Sequence, residues 1–93
     1  MQDRESFYKK LKTQLDDTTK FPSDYLYKFI VSAKGNKVEE VQSIFDNKGA
    51  VINTKKSKTG KYISISIVMK LASSDEVIAY YRQAEKVEGI ISL

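Results

Sequence analysis

Residues 57–70 read SKTGKYISISIVMK, and this stretch decides the fold. It opens with a lysine-rich turn closed by Gly60. Isoleucine then stands at every second place, at 63, 65 and 67, with Tyr62, Ser64 and Ser66 between. Alternating residues lie on opposite faces of a β-strand. One face is therefore apolar and core-bound. The other carries Tyr62, Ser64, Ser66 and Val68, and its purpose is the functional question.

Working outward, Ala50–Lys56 reads as the partner strand, joined to the strand over 62–71 by a hairpin at Ser57-Lys58-Thr59-Gly60. Gly60 supplies the left-handed position that such a turn needs. Upstream, YLYKFIVSA at 25–33 is rich in aromatic and β-branched residues, the composition of a strand. Tyr25, Tyr27, Phe29 and Val31 share one face, and Leu26, Lys28, Ile30 and Ser32 the other. Apolar residues on both faces suggest a central strand.

Two helices follow the strands. Residues 37–46 present Val38, Val41, Ile44 and Phe45 at helical spacing, with Asn36 placed to cap and Asn47-Lys48-Gly49 placed to stop. Ser73 and Glu76 have capping-box spacing, and Val77, Tyr80, Tyr81, Ala84 and Val87 follow helical periodicity. Residues 90–93 make a short last strand. A helix over 3–16 precedes all this, with Phe7, Leu11 and Leu15 as its stripe and Tyr8 beside them. Asp3 and Glu5 suit its N-terminal dipole, while Asp16-Asp17 suit its other end poorly and imply a stop there.

The expected order is thus an N-terminal helix and linker (1–20), then β-α-β-β-α-β over 21–93, starting at Phe21-Pro22. This is an α+β, ferredoxin-like sandwich. Two helices cover one face of a four-stranded antiparallel sheet. The other face is open unless the N-terminal helix or a second subunit covers it. Leu26 and Ile30 would lie there, and apolar patches seldom face water.

Composition bounds the function. Ninety-three residues make one domain with one core. Hydrophobic residues are 41% and charged residues 30%, as in ordinary globular chains. The absence of cysteine excludes disulfides and thiolate metal sites. No apolar run approaches a membrane span, and the polar N-terminus does not read as a secretory signal; a cytoplasmic location is expected. There is no histidine or tryptophan and no glycine-rich phosphate loop. The acids are explained by helix caps and dipoles. Ser64 and Ser66 have no evident base. The expectation is a chain without catalytic activity, cofactor or metal site.

The net charge of +4 is mildly basic, and Lys55, Lys56, Lys58 and Lys61 cluster around the hairpin. Such lysines also protect edge strands from aggregation. RNA-recognition domains share this topology and stack bases on aromatics of the first and third strands. Here Tyr62 is followed by serine where a second aromatic is expected, so nucleic acid is the weaker expectation.

The stretch FPSDYLYKFIV at 21–31 and the pattern Ser57-x-x-Gly60-x-Tyr62-x-Ser64-x-Ser66 resemble the YbeD-like family of small bacterial domains. The resemblance covers 21–93 and implies a fold similar to ACT domains. Those are regulatory, pair through their sheets and bind small effectors, often amino acids, at subunit interfaces. In them the loop after the first strand helps to form the ligand site. That loop here is Ser32-Ala33-Lys34-Gly35-Asn36, and it lacks the acid and proline that ACT loops carry before their glycine.

Three functions stay open. The first is a regulatory or adaptor domain acting by protein contact, with homodimerisation as one form of it. Its contact face would hold Leu26, Lys28, Ile30, Tyr62, Ser64 and Ser66, with Ser57 and Gly60 shaping the hairpin. The second is a sensor of a small effector bound near Gly35. The third is a single-stranded nucleic-acid binder using Lys28, Lys55, Lys56, Lys58, Lys61 and Tyr62.

Overall fold

The computed structural model describes residues 4–46 and 49–93. Its elements run α1 (Arg4–Thr18), β1 (Ser23–Ser32), α2 (Lys37–Phe45), β2 (Val51–Lys56), β3 (Tyr62–Leu71), α3 (Ser74–Ala84) and β4 (Ile91–Ser92). The sheet order is β2-β3-β1-β4, antiparallel throughout. This is the ferredoxin-like α+β sandwich that the sequence predicts.

The alternation of the central strands sets the layers. Tyr27, Phe29, Val31, Ile65, Ile67, Met69 and Leu71 are at most 2% exposed, and they meet Val41 and Phe45 of α2 and Val77, Tyr80 and Ala84 of α3. Each such side chain contributes about 1.5–3 kcal/mol by leaving water. Tyr27 is the hub. Its ring packs on Tyr25, Phe29, Phe45, Tyr80 and Tyr81. Its hydroxyl donates to the Val77 carbonyl at 2.9 Å. That bond lets a polar atom sit at the sheet–helix seam without a desolvation penalty.

The helix ends hold two outcomes. At α3 the Ser73 Oγ accepts from the Glu76 N–H at 3.2 Å, as its spacing predicts. The return bond is displaced by one residue: Glu76 Oε1 accepts from Ala72 N–H. At α2, Asn36 makes no side-chain cap bond; its backbone, at φ −114° and ψ 36°, is not in the extended shape that aims a cap at the first turn. The expected stop at Asn47-Lys48 and the expected role of Asp3 lie outside the described residues.

The first helix departs most from expectation. It continues to Thr18, because Asp16 is held by Lys12 one turn back and accepts from the Ser74 hydroxyl at 2.6 Å. Its buried residues are Tyr8 and Leu15, while Phe7 is 52% exposed. It does not lie over the bare sheet face. It packs on α3, on the helical side of the sheet. Arg82 grips Glu5 with two bonds, at 2.7 and 3.0 Å, and its guanidinium stacks over the Tyr8 ring at 4.6 Å. Tyr8 donates to Glu85 at 2.6 Å, Arg4 pairs with the same carboxylate, and Lys12 reaches Asp75 at 3.0 Å. Among the described residues no helix is long and apolar enough to cross a membrane.

Candidate functional site

With all three helices on one side, the opposite sheet face is bare. Strand register arranges it in rows. Leu26 of β1 stands beside Val68 of β3, which stands beside Val51 of β2. These are 51%, 37% and 60% exposed, an apolar row crossing three strands. The next row is Lys28, Ser66 and Asn53, and the next Ile30, Ser64 and Lys55, with Ile91 of β4 flanking Ile30. Ser32 and Tyr62 close the face at the hairpin end.

The small hydroxyls make a trough along β3. Its floor is Ser64 and Ser66, and its ends are Tyr62 and Val68. Its walls belong to β1 and β2, about 10 Å apart from the strand spacing. At the Tyr62 end it opens into a shallow cavity of about 240 Å³ lined by Ile30, Lys55, Lys56, Ser57, Lys58, Tyr62 and Ser64. The Ser64 hydroxyl donates to the Lys55 carbonyl at 3.3 Å, so it is partly engaged within the sheet.

Six of the residues singled out from the sequence therefore share one face: Leu26, Lys28, Ile30, Tyr62, Ser64 and Ser66. The others do not. Ser57 is hairpin machinery: its Oγ accepts from the Tyr62 N–H at 3.1 Å, and its carbonyl accepts from Gly60 N–H at 3.0 Å. Gly60, at φ +74°, holds the left-handed position of that turn. Gly35 lies in the β1–α2 turn at φ +75°. That turn meets the hairpin end, where Ser32, Ala33, Lys34, Gly60, Lys61 and Tyr62 line a second shallow cavity of about 330 Å³. Gly35 itself is not in that lining.

Val51 and Ile91 also belong to the face and escaped sequence reading. The alternation Val51-Asn53-Lys55 is a signal for the first, but it is weak beside the all-apolar alternation of β3. Ile91 sits in a strand of two residues, too short to show a period. Another crevice, of about 280 Å³, lies where α1 meets the end of the sheet, walled by Phe7, Tyr8, Leu11, Phe29, Tyr81 and Ile90. It exists because α1 docks on α3, which local sequence does not encode.

The perturbed titratable groups lie on the helical side, in α1, α3 and the inner face of β1. Burial raises the Tyr27 and Tyr81 phenols well above their ordinary value of 10. For Tyr81, its bond with the Tyr25 hydroxyl, 2.8 Å away, adds to this. The hydrogen bond from Arg82, and then its charge, hold the Glu5 carboxyl below its usual value. No three carboxylates cluster as metal ligands among the described residues.

Two solved structures are similar. One is the solution structure of protein HP0495 from H. pylori, with TM-score 0.64 and 18% identity, covering 82% of this chain and 86% of that one. The other is the ACT domain from GTP pyrophosphokinase of Chlorobium tepidum, with TM-score 0.55 and 12% identity, covering 76% of this chain and 100% of that one. At such identities they show the fold, and the second makes it ACT-like. No curated protein matches the chain. A family model described as a protein of unknown function, DUF493, matches residues 16–93, so it takes in every strand, α2, α3 and the last turn of α1. The chain belongs to the DUF493 family.

Proposed function

We propose that this chain is a non-catalytic regulatory or adaptor domain that works by protein–protein contact through its open sheet face. The observation that carries the reading is the row Leu26–Val68–Val51, three exposed apolar side chains abreast on a face that none of the chain's described helices covers. Contiguous apolar surface of this kind marks contact sites in soluble domains. The ACT-like fold supports a regulatory role by analogy. In the same reading residues 21–93 are the working domain, of the YbeD-like branch and cytoplasmic, and 1–20 are an appendage to it.

Ser64 sits in the trough floor, so an arginine there would fill it without touching the core. Wild type, Ser64→Arg and the helix-side control Gln83→Arg, at an exposed position in the last turn of α3 where a cation suits the dipole, should melt alike. As baits in a cell extract, wild type and control should retain the same protein, and Ser64→Arg should lose it. Identical retention by all three would overturn the proposal.

A second reading, a small-effector sensor, draws on the two shallow cavities that meet at Tyr62. A ligand that binds only the native state raises apparent stability. A thermal-shift screen of amino acids and central metabolites tests it, and no shift across that set would remove it.

A further inference from the structure

The sheet side of the molecule is unbalanced in charge. The four strands and the β2–β3 hairpin hold six of the chain's 16 basic residues. Within the four strands Asp24 is the one acid. Lys28, Lys55 and Lys70 project from the open face by strand parity, and Lys34, Lys58 and Lys61 line the shallow cavities at its hairpin end. The ion pairs of the described residues are elsewhere, four between or within α1 and α3 and one in α2. Asp24 stands beside Lys70 on this face, and among the described residues Lys28, Lys55, Lys58 and Lys61 have no acid paired with them.

This bears on what can cover the face. A second copy would meet it across a twofold axis lying between the two sheets. With that axis along the strands, the lysine-ringed ends of the two copies face each other. With the axis across the strands, each lysine-ringed end faces the other copy's Leu26–Val68–Val51 row. The one acid a second copy brings on this face is Asp24, which its own Lys70 already neighbours, so neither arrangement neutralises the lysines, and like-charge juxtaposition is how interfaces reject partners. Nucleic acid would satisfy the lysines, but stacking needs aromatic platforms. The face offers Tyr62 alone, because Tyr25, Tyr27 and Phe29 point into the helical layer. A phosphate backbone would also leave the apolar row against water. A small anion needs convergent donors, yet the Ser64 hydroxyl is turned to its own sheet and the lysines stand exposed.

We infer that the open face takes a different protein, one that presents an apolar ridge flanked by Asp and Glu side chains. The ridge lies along the Leu26–Val68–Val51 row and the β3 trough, and the acids meet Lys28, Lys55 and the hairpin lysines. The inference rests on the protein-contact reading and names the partner's chemistry.

The test uses isotope-labelled chain and three defined probes: an amphipathic helical peptide with a leucine stripe flanked by glutamates, the same peptide with lysine for glutamate, and an oligothymidylate. The acidic peptide should shift amide signals of Leu26, Ile30, Lys55, Tyr62, Ser64 and Val68. Its affinity should fall at least about tenfold between low and high salt, and by as much again in Lys28→Glu/Lys55→Glu, whose melt should match wild type. Equal binding of the lysine peptide would overturn the inference while leaving protein contact standing. So would a self-dimer through this face at low salt. Shifts with oligothymidylate alone would overturn both. No shift with any probe would overturn the inference, and the Ser64→Arg capture would then decide the reading beneath it.

Discussion

Adjacent residues Leu26 and Tyr27 offer a sharp test of the layer assignment. Tyr27 is fully buried, and its hydroxyl bonds the Val77 carbonyl at 2.9 Å. Tyr27→Phe keeps the ring packed among five aromatic neighbours and removes the donor alone. The loss is a net hydrogen bond, about 0.5–1.5 kcal/mol, together with part of the cost of a less well satisfied buried carbonyl, for about 1–2 kcal/mol in all. In a domain of this size each kcal/mol moves Tm by about 4–8 °C, so Tm should fall by about 5–15 °C. Leu26 is 51% exposed on the other face, and Leu26→Ala should change stability by less than about 0.5 kcal/mol. Thermal melts followed by circular dichroism, repeated in urea to confirm an unchanged m-value, read both. A Tyr27→Phe protein that melts with wild type would refute the role given to the hydroxyl. A Leu26→Ala protein destabilised as much as Tyr27→Phe would show that the sheet face is not bare.

Other outcomes follow from local geometry. Gly60→Ala meets no atom within 4 Å, but at φ +74° it places a Cβ in the left-handed region and should cost about 1–2 kcal/mol, read as a lower urea midpoint. Ser73→Ala removes the cap of α3 and should cost about 1 kcal/mol by the same assay. The α1 clasp should loosen in acid. Glu5 and Asp16 are held below their usual values of 4.5 and 3.8, Glu5 chiefly by its bond from Arg82 and Asp16 chiefly by its bond from Ser74. Folded, they bind fewer protons than the unfolded chain does. Their contribution is therefore whole above those usual values and is lost as pH falls through the lower folded ones. Amide exchange, corrected for its intrinsic pH dependence, should show α1 losing protection below about pH 4 while β1 and β3 keep theirs. Unchanged protection of α1 would contradict the clasp.

The strands were legible because β1 and β3 write their faces into alternation: Tyr-x-Tyr-x-Phe-x-Val against Ile-x-Ile-x-Ile-x-Met. The face carrying Leu26, Lys28, Ile30, Tyr62, Ser64 and Ser66 followed from that parity alone. The seat of α1 was not legible. Phe7-Leu11-Leu15 and Tyr8-Leu15 are alternative stripes on one helix, and the choice between them is made by Glu85 and Arg82, 77 residues along the chain from the side chains they hold. The Asp16-Asp17 pair likewise reads as a stop until Ser74 arrives to bond Asp16. The Asn36 cap failed for a related reason: residue type permits a cap, but backbone angles decide it. Val51 and Ile91 joined the face through strand pairing, which no single segment displays.

The claim on which the account stands is that the face is free to meet a partner. Methyl signals of the isolated chain, recorded with and without a water-soluble nitroxide, test it directly. Leu26, Val51, Val68 and Ile91 should be strongly attenuated, and Ile65, Ile67 and Val77 little changed. Protection of Leu26 and Val68 to the level of Ile65 would mean that the chain or its own copy already covers the face, and would contradict the account.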